Sequence, residues 1–169
     1  MDNIVNRRLT PEQKQFLDNL SKYIEQPLYF YGSVKRPDFI PGKSDIDIDI
    51  FTDNENSTIN LLCNFLNVKK NEFTKFLLKI DGTLVYGYKV RYEDNVVNIN
   101  AEFSVYNIKH KTKVLKERNN TECLPFHSIV LLYIIKVLFY KLQVISSDTF
   151  KRCKRFIMNN DELKFILID

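Results

Sequence analysis

Asp45, Asp47 and Asp49 alternate with Ile46, Ile48 and Ile50 in the run DIDIDIF. In an extended strand successive side chains point to opposite faces, so this spacing puts the carboxylates on one face and the isoleucines on the other. The isoleucines are core. Like charges about 7 Å apart along one face repel, and such crowding is best tolerated where a cation sits among them. Oxygen-only donors select a hard cation, magnesium or manganese. The plainer alternative is an edge strand whose charged face keeps it soluble.

The residues upstream change that weighing. PLYFYGS is a short β-favouring run ending in Gly32-Ser33, and a glycine turn lets backbone N–H groups approach phosphate oxygens closely, with the serine hydroxyl as a further donor. Lys35, Arg36 and Lys43 lie in the loop before the aspartates, where guanidinium and ammonium groups can bind a polyphosphate or simply remain solvated. A lone Gly-Ser or a lone Asp-x-Asp is a weak signal. The two in this order on successive strands are far more specific.

With Tyr31-Gly32-Ser33 ahead of Ser44-Asp45-Ile46-Asp47-Ile48, residues 28 to 51 resemble the nucleotidyltransferase superfamily, which includes DNA polymerase beta, the minimal antitoxin-type nucleotidyltransferases and the aminoglycoside and lincosamide nucleotidyltransferases. Arg36 and Ser44 fit the same register, and Pro37 departs from it where glycine is usual. The resemblance implies that Asp45 and Asp47 hold magnesium ions, and that Gly32 and Ser33, with Arg36 and Ser44, bind the nucleotide. Asp49, one step beyond the usual pair, is a candidate to support it.

The resemblance also implies a third carboxylate from a neighbouring strand, acting as metal ligand and as base toward the acceptor. VVNINAEFSVYN is the strand to search. Alternation puts Asn98, Asn100, Glu102 and Ser104 on its polar face, and Glu102 is the only acid there. A two-residue turn at Asp94-Asn95 would set Gly87 opposite Glu102 and Lys89 opposite Asn100. An asparagine in the third acidic position would ligate a metal but could not take a proton.

Other elements position these residues. Thr10, Pro11 and Gln13 form a helix start, and Phe16, Leu17, Leu20, Tyr23 and Ile24 continue it to about residue 25. Ile59, Leu62, Phe65 and Leu66 suit a second helix capped by Asn56 or Ser57. β-type runs at 73 to 80, 83 to 92 and 96 to 107 suggest a meander, with Asp81-Gly82 in its first turn. The cation-rich segment 107 to 120 has no clean period and is expected to be a solvated connection. Pro125 opens a long apolar helix in which Lys136 is expected to snorkel and Tyr133 and Tyr140 to join the core. A last helix is expected over about 148 to 168, carrying the basic cluster KRCKR.

Composition limits what else the 169-residue chain can be. It is 44% hydrophobic, with net charge +4 and pI near 8.8, which permits phosphate-bearing partners without demanding them. Three scattered cysteines and two histidines suggest neither a disulfide framework nor a zinc site. No apolar leader or membrane span is read, so a cytoplasmic protein is expected.

The expected whole is an α+β nucleotidyltransferase-like domain over 1–169, a mixed sheet backed by helices with a helical C-terminal part (core 1–108, helices 121–169). Its expected activity is magnesium- or manganese-dependent transfer of NMP from an NTP to a hydroxyl acceptor, with release of pyrophosphate. The acceptor, a small molecule, a protein or a nucleic acid, is left open. Competing readings are a weak or inactive antitoxin-like binding protein and a small repair-type polymerase.

Overall fold

Thr10 caps helix α2 (Pro11–Ile24) as its sequence predicts. Its hydroxyl accepts from the Gln13 N–H, and the Gln13 side chain accepts from the Thr10 N–H. A shorter helix, α1 (Asn3–Arg8), precedes it and buries Val5. The computed structural model describes residues 3–122, 124–158 and 165–168.

The chain then enters a mixed sheet. Strand β1 (Tyr29–Tyr31) ends at the Gly32 turn and runs antiparallel to β2 (Ile46–Thr52). Helix α3 (Glu55–Leu66), capped by Asn54, leads from β2 to β3 (Thr74–Ile80), β4 (Thr83–Asp94) and β5 (Ile99–Asn107). β5 returns to lie parallel to β2, and a short strand β6 (Phe165–Ile168) closes the far edge, giving the order β1-β2-β5-β4-β3-β6.

Each face of this sheet has its own core. Ile46, Ile48 and Ile50 of β2 join Ala101, Phe103 and Val105 of β5 beneath Leu17, Leu20 and Ile24 of α2 and Ile59 and Leu62 of α3. The opposite face divides along its length. Its inner half packs Phe51, Tyr106, Phe76 and Val85 under Val114 of helix α4 (Lys111–Glu122). Gly87 belongs there, because a Cβ would sit 2.7 Å from the Phe76 ring and 2.9 Å from Tyr106. The outer half carries the carboxylates.

Several expectations need correcting. Residues 111–122 form α4 where a solvated connection was expected. Among its described side chains only Val114 is fully buried, so its periodic signal is faint, and tertiary contacts hold it in place. The Asp81-Gly82 hairpin has the expected two-residue turn, with Ile80 opposite Thr83. The next hairpin does not: Asp94 pairs with Ile99, and the Asp94 side chain accepts from the N–H groups of Val96 and Val97 to form a longer turn. Glu102 therefore faces Arg91 rather than Gly87, and Lys89 faces Ser104.

The C-terminal part is helical in α5 (Phe126–Tyr140) and α6 (Ser147–Met158), joined by ring contacts among Phe139, Tyr140 and Phe150. Where continued helix was expected, 165–168 is strand; 159–164 lie outside the described residues. Tyr133, expected in the core, is exposed. Among the described residues no helix is long and apolar enough to cross a membrane.

Candidate active site

The two halves of the sequence pattern meet in space. Gly32 takes φ +72°, a conformation that favours glycine, and a Cβ on it would overlap Asp47 Oδ2. The turn after β1 therefore packs directly against the second aspartate. Ser33 follows in a single 3-10 turn, its hydroxyl 3.4 Å from the Asp45 carbonyl. Asp45 is exposed just before β2, and Asp47 is half-buried within it.

Asp47 is crowded by protein and by charge. Burial, with Glu102 and Asp45 nearby, pushes its carboxyl up to about 7, while Lys154 of α6 and Arg118 of α4 pull the other way. A carboxylate in that position gains from a cation beside it.

Across the sheet Asp47 faces Glu102. Asn98 instead lies in the β4–β5 turn at φ 49°, its carbonyl accepting from Gln13 Nε2, and Asn100 lies one row out, opposite Glu93. Glu102 is held by Arg91 Nε at 3.1 Å and Lys89 Nζ at 3.7 Å. Among the described residues no three His, Cys, Asp or Glu side chains converge as a ready-made metal cage.

Arg36 and Ser44 sit elsewhere. Arg36 is buried and forks onto Asp38, while Ser44 accepts from the Ile40 N–H. Lys136 of α5, which the sequence suggested would snorkel, is 3% exposed. Its ammonium donates to the Asp38 carbonyl and carboxylate and to Ser44 Oγ. Arg8 adds bonds to the carbonyls of Val34 and Arg36. The cluster ties α1 and α5 to the loop that delivers Asp45.

Asp49 lies behind the pair. Arg118 forks onto it at 2.9 and 3.1 Å, donates to the Tyr106 hydroxyl and stacks 3.7 Å from the Tyr31 ring centre. Asp49, Tyr106 and Tyr31 together hold the Arg118 pKa above its ordinary value although burial opposes this.

The family model for the nucleotidyltransferase domain matches residues 11–141, more than three quarters of the chain. This chain belongs to the nucleotidyltransferase domain family. No curated protein matches its sequence. Similar solved structures include the Cid1 poly(U) polymerase bound to MgATP (14% identity, TM-score 0.43, 85% of this chain and 47% of that one). A cytoplasmic RNA terminal U-transferase has 14% identity and TM-score 0.44, over 85% and 46%. The GLD-2/RNP-8 complex has 17% identity and TM-score 0.31, over 92% and 67%. The chain spans just under half the length of the first two.

Within this nucleotidyltransferase domain, sequence reasoning missed Arg91, Arg118 and Lys154. Arg118 and Lys154 were visible only as members of cation-rich segments. Which of those cations act on the acids depends on how α4 and α6 dock.

Proposed function

We propose that this nucleotidyltransferase moves a nucleoside monophosphate from an NTP to a hydroxyl acceptor and releases pyrophosphate, as a single cytoplasmic domain. The observation that supports this reading is the contact of the Gly32 turn with Asp47, a glycine bend beside one acid of the proposed pair.

Asp45 and Asp47 offer oxygen-only donors, and the strained ionisation of Asp47 suits a hard divalent cation, magnesium or manganese. When bound, such a cation neutralises phosphoryl charge and lowers the pKa of the attacking hydroxyl. The backbone N–H groups at Gly32 and Ser33 would receive the NTP phosphates. Lys154 adds positive potential on the α6 side. Glu102 is the base toward the acceptor, since it faces Asp47 and neither asparagine does. Arg36 and Ser44 serve the nucleotide indirectly, by shaping the loop before Asp45.

Incubation with each α-labelled NTP, magnesium or manganese and pools of acceptors tests this. Label transfer should occur in the wild type and vanish in Asp45→Ala/Asp47→Ala. Glu102→Gln should cut transfer by about 10²–10⁴-fold while NTP binding is kept. Transfer that survives the double substitution would reject the site, and metal-dependent NTP binding without any transfer would favour the binding-protein alternative.

A further inference from the structure

The functional groups follow one row across four neighbouring strands. Gly32 stands at the end of β1, Asp47 on β2, Glu102 opposite it on β5, and Arg91 opposite Glu102 on β4. Lys89, two residues earlier on β4, reaches back to the same carboxylate. Arg91 engages Glu102 through Nε alone, and its side chain is 80% exposed. An ion pair with so exposed a partner contributes only about 0–1 kcal/mol to folding, so stability is a weak reason for the Arg91 guanidinium to stand at this acid, whereas Lys89 and Glu102 are both largely buried. A guanidinium with most of its fork in solvent is suited to bind a phosphate bidentately.

We propose that Arg91 and Lys89 form an anion site on the acceptor side, binding a phosphate next to the hydroxyl that receives the nucleotide. This assignment rests on the proposed transfer reaction, which sets the donor phosphates at the Gly32 end of the row and leaves the Glu102 end to the acceptor. The acceptor class is a phosphate-flanked hydroxyl, either the end of a nucleic-acid strand or a sugar phosphate. Asp45 and Asp47 also act on Arg91 through space. The cation thus lies within the field of the acid pair and beside Glu102.

The probes are a labelled short single-stranded oligoribonucleotide, followed by fluorescence anisotropy, and ribose 5-phosphate with ribose as its neutral counterpart, followed by calorimetry. Arg91→Ala/Lys89→Ala should weaken the phosphate-bearing probe about tenfold or more and, for the oligonucleotide, lower the log-log salt slope by about 1–2. Arg91→Ala alone should give part of that loss. NTP affinity should stay within about twofold of wild type, and Lys79→Ala, on the opposite face of β3, should leave both unchanged. Tight binding of the oligonucleotide alone identifies a strand end, and comparable binding of ribose 5-phosphate but not ribose identifies a sugar phosphate. Absence of Arg91-dependent binding for both phosphate probes overturns the proposal while leaving the NTP site intact. NTP binding that persists in Asp45→Ala/Asp47→Ala would instead overturn the site reading, and the acceptor assignment with it.

Discussion

Asp47 and Asp49 stand two residues apart on one face of one strand, in opposite surroundings. Asp49 is fully buried and held by the Arg118 fork, which also stacks on Tyr31. Asp47 forms no ion pair among the described residues and lies against a glycine that leaves its carboxylate room. Asp38 resembles Asp49, with Arg36 and Lys136 on its carboxylate. The lesson concerns what a buried acid is for. Where a cation is built into the fold, the acid fixes structure, and where like charges crowd it beside an open turn, the acid is the one we propose for a ligand.

The largest expected effect tests the ligand half of that contrast. Asp47→Ala should remove NMP transfer by at least about 10³-fold, the scale of losing a preorganised electrostatic group. Its thermal midpoint should hold or rise, because a crowded charge has gone. A fall in midpoint without loss of transfer would make Asp47 structural and erase the distinction.

Next comes the structural half. Arg118→Met leaves Asp49 buried without its main partner and should destabilise the protein by about 3–5 kcal/mol in urea unfolding. A variant as stable as wild type would mean that the fork is dispensable.

Gly32→Ala should cost about 1–3 kcal/mol from the strained backbone and, by displacing Asp47, weaken NTP binding as well. Calorimetric binding beside a melting curve separates the two losses. Unchanged NTP affinity would uncouple the turn from the acid pair.

The smallest effect is in pH. Burial raises the Asp38 pKa, but hydrogen bonds and charge from Arg36 and Lys136 outweigh it, so the folded value lies below the ordinary one. Its stabilisation is therefore fully present above the unfolded pKa of about 3.9 and is lost as pH falls through the folded value. Urea midpoints should fall below about pH 4, and Asp38→Asn should flatten that limb. An identical limb in the variant would assign it to other carboxylates.

Local chemistry made much of this readable. The capping box at Thr10, the Asp81-Gly82 turn and the two-residue period of β2 each depend on neighbours in sequence, and each formed as expected. The β4–β5 hairpin did not, because Asp94 accepts from two backbone N–H groups and lengthens the turn. That shift moved Arg91 opposite Glu102. Helix α4 was missed because its stability comes from Val114 and Arg118 docking on the sheet rather than from an apolar stripe. Lys136 carried a recognisable helical position, yet nothing local revealed that Asp38 and Ser44 would meet its ammonium.

The order of Gly32-Ser33 and Asp45-Ile46-Asp47 carried the resemblance to the family, and the two-residue period marked the strand face that bears the acids, since alternation in an extended chain is fixed by backbone geometry. Which aspartate is neutralised, which acid faces Asp47 and which cations reach the row were decided by the tertiary structure. Those outcomes depend on strand register and helix docking, and both are set by contacts between residues far apart in the chain.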